Sequence, residues 1–170
     1  MPQPIVFIIF NCRSGSTEKL ALAAAVGAVQ GRALIRLRRL PDADSSGTTE
    51  DASLIKETLQ RMHREYVAPT ETDVLKADAL ILAPPPDSSP TSAEWAGHFE
   101  LLARLARNGK LAGKVAAVVD SGDQSTLQSF AAALGSLGLH FVPNASQEAT
   151  SLGRTVAAET MKLMIDSKGR

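Results

Sequence analysis

Six consecutive apolar residues, Ile5 to Phe10 (IVFIIF), admit few architectures. An unbroken run of this kind suits a strand covered on both faces, as in a parallel sheet flanked by helices; periodicity alone would also allow a buried helix, and the shortness of the run decides for a strand. Asn11 to Ser16 then reads as a short polar loop with Gly15 near its end, and Thr17 to Gln30 has the length and Ala/Leu content of a helix. A strand that passes through small residues into a helix N-terminus presents backbone N–H groups, here those of Ser14 to Thr17, at the positive end of the helix dipole. The hydroxyls of Ser14, Ser16 and Thr17 stand beside them, so a dianionic phosphate could be held without a lysine. The loop is neither a Walker loop, which needs Gly-x-x-x-x-Gly-Lys, nor the three-glycine dinucleotide fingerprint. The plainer reading is a capped strand-to-helix turn without a ligand, and the loop alone leaves both readings open.

The chain has 170 residues, most simply one domain over 1–170 and enough for a full sheet with helices on both faces. Eighteen acidic and 18 basic residues cancel, which gives no support for a nucleic-acid or anionic-membrane partner. No basic start precedes the first apolar run, that run is too short for a signal segment, and no stretch reaches membrane-spanning length, so a soluble, cytoplasmic protein is expected. A single cysteine, Cys12, rules out an internal disulfide framework and makes a cysteine-built zinc site implausible.

Further along, Arg32 to Leu40 alternates Ala33, Ile35 and Leu37 with Arg32, Arg36 and Arg38. This is a second strand whose arginines are expected to face solvent or mark an edge. Pro41 to Asp51 reads as an exposed loop. From Asp51 to Val67, Ile55, Leu59, Met62 and Tyr66 form one face of an amphipathic helix, with Glu57, Arg61 and Glu65 spaced for ion pairs on the other side. With a further short helix over Glu71 to Lys76 it makes an insertion or extended crossover. Ala77 to Ala83 is the third strand, running into the proline-rich loop Pro84 to Thr91, which cannot continue a sheet. Ser92 is expected to cap a helix whose inward face is Trp95, Phe99, Leu102 and Ala106, with Trp95 as core or subunit contact. Lys114 to Asp120 is the fourth strand, Ser121 to Gln124 a loop, and Ser125 to Leu137 a helix. Leu139 to Val142 is a short fifth strand and Gly153 to Ser167 a C-terminal helix. Strands alternating with helices make a parallel, doubly wound α/β sheet. Ligands bind such sheets beyond the carboxyl ends of the strands, where Asn11 to Ser16, Pro84 to Thr91 and Ser121 to Gln124 lie.

Cys12-Arg13-Ser14-Gly15-Ser16-Thr17 resembles the phosphate loop of flavodoxins, Ser/Thr-x-Ser/Thr-Gly-x-Thr, with Cys12 where a hydroxyl residue is usual. ADALILAPPPDSSPTSAEWAGHF, then GKLAGKVAAVVDSG and TLQSFAAALGSLGLHFVP, extend the resemblance over nearly the whole chain. They are similar to the tryptophan-repressor-binding-protein type of NAD(P)H:quinone oxidoreductase, a flavodoxin-fold family. The resemblance implies a flavodoxin-like three-layer α/β/α sandwich with five parallel strands in the order 2-1-3-4-5, and a homodimer or homotetramer. It further implies FMN as cofactor, NAD(P)H as electron donor and a quinone or other small acceptor. Carried onto this chain, Arg13, Ser14, Gly15, Ser16 and Thr17 hold the phosphate. Pro85, Asp87, Ser88 and Ser89 flank the ring, and Ser121, Gly122 and Gln124 border its far side; no residue is assigned as catalytic.

The two ring loops depart from the family pattern. Pro84 replaces a hydroxyl residue, Asp87 an arginine, Ser88 an aromatic residue, Ser89 a glycine and Pro90 an asparagine, while Pro85 and Ser92 are retained. Prolines have no N–H to donate, and Asp87 adds a charge of the same sign as the phosphate, a repulsion of about 1 kcal/mol in a partly buried site. The third loop lacks its glycine run and is several residues shorter. Two expectations therefore stand: an FMN-dependent oxidoreductase, or a flavodoxin-fold protein that has lost FMN and serves as a binding or structural partner. A phosphatase of the Cys-x-x-x-x-x-Arg kind fails on spacing, since that count from Cys12 reaches Glu18. Cys12 is expected to be a small, semi-buried residue beside the loop. His63 and His98 are placed on polar helix faces and His140 on a strand, with surface or structural roles, and Lys110 and Lys114 are expected to be solvated.

Overall fold

In the computed structural model the described residues are 2–12, 14–42, 52–144 and 148–170. Five parallel strands form one sheet in the order β2-β1-β3-β4-β5: β1 (Ile5–Phe10), β2 (Leu34–Arg39), β3 (Ala79–Ala83), β4 (Val115–Val118) and β5 (His140–Phe141). The order is the one the resemblance implies. Between them run α1 (Ser16–Gln30), α2 (Ala52–Glu65), α3 (Glu71–Lys76), α4 (Ala93–Arg107), α5 (Gln124–Gly135) and α6 (Ala149–Lys168). The last helix starts one turn earlier than the sequence suggests.

The sheet is covered on both faces because β1 and β3 are apolar at every position; only Ile5 of the two strands is not fully buried. Val6, Ile8 and Phe10 point to α1, α6 and Met62 of α2, whereas Phe7 and Ile9 point to α3, α4 and α5. The crossover between β2 and β3 thus passes over both faces and packs on its own domain. Of the α2 stripe, Met62 is fully buried and Leu59 and Tyr66 partly so, with the Tyr66 ring edge-on to Phe10 at 4.9 Å; the side chain of Ile55 lies outside the described residues.

The α1/α6 pair is drawn together by residues without side chains. A Cβ added at Gly27 would run into the Thr150 carbonyl, one at Gly153 into the Ala24 carbonyl, and one at Gly31 would stand 2.7 Å from the Ala157 methyl. With Ala21, Ala24, Ala25 and Ala28 fully or nearly buried between them, the two helices approach at backbone distance and hold the start of α1 rigidly over the sheet.

Several placements correct the sequence reading. The arginines of β2 do lie on an edge strand, but they are not simply solvated. Arg36 and Arg38 reach Asp73 of α3 at 3.1 and 3.2 Å, and Arg39 is 3 % exposed. In their place Leu34 and Ile35 are exposed. Asp73 also closes a capping box with Thr70; burial opposes its ionisation, but the Thr70 N–H and the arginines outweigh that and hold its pKa below the ordinary value. His98 is buried rather than on a polar face. Lys114 is half-buried and donates to the carbonyls of Leu75 and Ala77, so it ties off the end of α3. Trp95 is core, fully buried and edge-on to Phe130 at 5.0 Å. The loop expected over Pro41 to Asp51 lies, from position 43 on, outside the described residues.

Candidate functional site

Two of the three expected loops meet. Asn11, Cys12, Ser14, Ser16 and Thr17 line one side of a cleft of about 510 Å³, and Pro85, Pro86, Asp87, Ser88, Ser92 and Glu94 line the other. It opens at the carboxyl ends of β1 and β3, where an α/β sheet of this order receives ligands. A larger cavity, about 620 Å³, sits at the opposite end beside Asp78, Lys114 and the end of α6, but its lysine is already committed to backbone carbonyls. The cleft is the better site on chemistry.

The phosphate-loop side is built from the end of β1. Phe10 and Cys12 are buried, and the Asn11 amide donates to the Leu40 carbonyl at 3.1 Å, pinning the loop to the end of β2. Behind it the Arg39 guanidinium donates to the Cys12 carbonyl at 3.1 Å and pairs with Asp42 at 2.8 Å. Gly15 then turns the chain with φ +89°, a conformation that a side chain would strain, and donates its N–H to the Cys12 sulfur at 3.0 Å. α1 begins directly after Gly15, and no side chain caps it. The amides of its first turn have no intrahelical partner and stand next to Thr17, which is buried, and to the Ser14 and Ser16 hydroxyls, 3.1 Å from each other. This donor set fits a phosphate monoester: uncapped amides, the positive helix end and hydroxyls that can turn toward an anion. Arg13, expected in the set, lies outside the described residues.

The opposite side is a tight turn. Pro86 and Asp87 are its central residues, Asp87 has φ +61°, and the Ser88 hydroxyl closes it on the Pro85 carbonyl at 2.6 Å. Ser92 begins α4 without capping it, because its hydroxyl instead donates to the Ser89 carbonyl at 2.6 Å. Ser89 faces Thr91, 3.1 Å away, and is not among the cleft-lining residues. Asn11, Cys12, Pro86, Ser92 and Glu94 do line it, beyond the residues the sequence picks out. Asn11, Cys12 and Pro86 lie within the two expected ligand loops and Ser92 directly follows the second, while nothing in the sequence marks Glu94.

The third loop does not reach the cleft. Asp123 accepts from the Asp87 N–H at 3.0 Å and from Thr126 Oγ1 at 2.8 Å, and that hydroxyl also lies 3.3 Å from the Ser88 carbonyl. The Asp87 N–H holds the Asp123 carboxyl below its ordinary pKa. Ser121 and Gln124 are not among the cleft-lining residues, and Gly122 lines a separate hollow with Asp120 and Glu148. The expectation that Ser121, Gly122 and Gln124 border the same site is thus not met by the geometry, because the shortened loop is used to brace the turn at Asp87. No described residue lining the cleft is aromatic or basic. Among the described residues no group of three His, Cys, Asp or Glu side chains converges as a metal site, and no helix is long and apolar enough to cross a membrane.

Comparison with known proteins places this geometry. No protein-family model matches the chain. Among curated proteins it is similar to an NAD(P)H dehydrogenase (quinone) from Archaeoglobus fulgidus, 28% identical over 143 residues, covering 81% of this chain and 74% of that protein. Among solved structures it is similar to Megasphaera elsdenii flavodoxin (TM-score 0.60, 17% identity, 90% of this chain and 98% of that one) and Streptococcus pneumonia TIGR4 flavodoxin (0.58, 19%, 93% and 98%). It is likewise similar to the flavodoxin, WrbA-like protein from Agrobacterium tumefaciens (0.56, 18%, 94% and 99%). The fold is flavodoxin-like.

Proposed function

We propose that the chain is an FMN-binding, flavodoxin-like oxidoreductase of the NAD(P)H:quinone reductase kind. The observation that carries the reading is the uncapped start of α1 beside Ser14, Ser16 and Thr17, facing the Pro85–Ser88 turn across a cleft of ligand size. The likeness to a quinone-reducing NAD(P)H dehydrogenase supports the reaction class.

FMN, if held there, would supply the hydride-accepting and electron-donating chemistry between NAD(P)H and a quinone. The chain's own work is binding and orientation. Arg13, Ser14, Gly15, Ser16 and Thr17 would hold the phosphate and Pro85, Asp87 and Ser88 would form one wall for the ring, a wall braced from behind by Asp123 and Thr126. Asp87 and Glu94 line the turn side of the cleft, across from the phosphate loop, so their negative charge falls on the ring side. The open second face leaves room for donor and acceptor in turn. The exposed Leu22, Val26 and Val29 of α1, with Leu34 and Ile35 at the amino end of β2, offer an apolar surface for assembly of a homodimer or homotetramer. We read residues 1–170 as one domain working in the cytoplasm.

Protein loaded with FMN should oxidise NADH or NADPH with benzoquinone as acceptor, and the apoprotein should not. Loaded protein without turnover on either nucleotide would remove the reductase assignment while leaving the binding site. A second reading is favoured by one observation. The bonds from Asp87 and Thr126 that close the second loop on the third occupy the side from which a ring would otherwise be covered. On that reading the chain is a scaffold that binds no flavin and serves a protein partner, and it predicts a colourless protein that cannot be loaded.

A further inference from the structure

Immediately beyond the phosphate-binding residues the chain carries an acid. Glu18, one residue after Thr17, is 6 % exposed and sits in the first turn of α1. An unpaired carboxylate there would suit the helix dipole but oppose a phosphate dianion bound to the same turn. The carboxylate is not unpaired. Arg61 of α2 grips both of its oxygens, at 2.7 and 3.1 Å, and bonds Glu65 at 2.6 Å. Tyr66 and Arg39 also favour the ionised form of Glu18. The Arg61 bond, with these helpers and against burial, holds the Glu18 carboxyl below its ordinary pKa. The same helix touches the loop itself: the Thr58 methyl lies 3.9 Å from where a Cβ on Gly15 would stand. Arg61 is thus the point at which α2 is fastened to the phosphate loop, although its spacing with Glu57 and Glu65 reads as a solvated surface pair.

We infer that Arg61 is a positioning residue of the phosphate site: by taking up the charge of Glu18 it keeps the first turn of α1 receptive to a phosphate dianion. The inference rests on the FMN reading and adds to it a residue outside the loops. Glu18 alone would make the turn repel its ligand; the Arg61 guanidinium offsets its charge and fixes its carboxylate, and the remaining negative charge of the cluster belongs to the half-exposed Glu65.

The test is FMN and riboflavin affinity, by flavin fluorescence, in wild type, Arg61→Met, Arg61→Lys, Glu18→Gln and the Arg61→Met/Glu18→Gln double variant. Riboflavin has the ring without the phosphate. Arg61→Met should weaken FMN about tenfold and leave riboflavin within about twofold, as for one uncompensated charge near a partly buried dianion. Arg61→Lys should recover most of the loss, and the double variant should return to near wild type. Glu18→Gln alone should bind FMN as well as or better than wild type, where a purely structural pair would bind it worse. Equal losses for both flavins, an unrescued double variant, or unchanged FMN affinity in Arg61→Met would overturn the inference. Wild type that takes up neither FMN nor inorganic phosphate would overturn the cofactor reading, and this inference with it.

Discussion

The two walls of the cleft are held by different means. The phosphate-loop wall hangs from a helix pair locked at backbone distance, with α2 clamped on through Arg61 and Glu18. The turn wall hangs from α4 and α5, which meet through rings and larger side chains: Trp95, Phe99 and Phe130 within 5.0 to 6.4 Å of one another. That side also buries two ring nitrogens, Trp95 Nε1 and His98 Nε2, without a hydrogen-bond partner. One wall spends its sequence on closeness and the other on volume. The lesson is that two walls of one cleft can be held by opposite kinds of packing.

The largest test of that contrast uses the same substitution on each side. Gly153→Ala should cost about 3 kcal/mol in urea unfolding, because the new methyl meets the Ala24 carbonyl and neither backbone can retreat. Gly97→Ala on α4, where nothing lies within 4 Å, should stabilise by about 0.5–1 kcal/mol through helix propensity. A similar cost at both sites would erase the distinction between the walls.

Acid should find the α4 side next. Burial pushes the His98 imidazole down to about 4 from an ordinary 6.5, so the unfolded chain takes up a proton that the folded chain refuses. Stability from this group is complete above about pH 6.5 and is lost as the pH falls toward 4, by between about 2 and 3 kcal/mol. His98→Phe should flatten that part of the stability–pH curve; a slope identical to wild type between pH 7 and 4 would show that the imidazole is not buried neutral. Glu18 loses its own contribution only at lower pH, since its folded pKa lies below the ordinary carboxylate value.

Smaller effects separate binding from folding. Ser14→Ala and Thr17→Val should each weaken FMN by about 1 kcal/mol or more, as expected for one lost hydrogen bond to a charged group, without a matching fall in stability. Asp87→Gly relieves a left-handed backbone and removes a carboxylate from the cleft, and should tighten FMN and raise stability by under about 1 kcal/mol each. Weaker FMN in that variant would mean that the Asp87 side chain helps to hold the ligand.

The sheet was legible because its signals are local. The apolar runs at Ile5–Phe10 and Ala79–Ala83 and the loop into α1 state their structure within a few residues. That Ser14, Ser16 and Thr17 gather at one cleft was legible for the same reason. What escaped depends on long-range pairing: Arg61 reaching Glu18, Arg39 turning inward to the Cys12 carbonyl, His98 buried on a helix face that reads as polar. The diversion of the third loop to brace Asp87 is another such case, since the sequence shows only that the loop is short.

The most direct measurement is calorimetric titration of the flavin-free protein with FMN, checked by the visible spectrum after desalting. The account predicts saturable binding at one site per chain with micromolar affinity or tighter, and a retained flavin spectrum. No heat of binding and a colourless desalted protein would contradict it, and would make the bridge between Asp87 and Asp123 the feature that defines what this chain does.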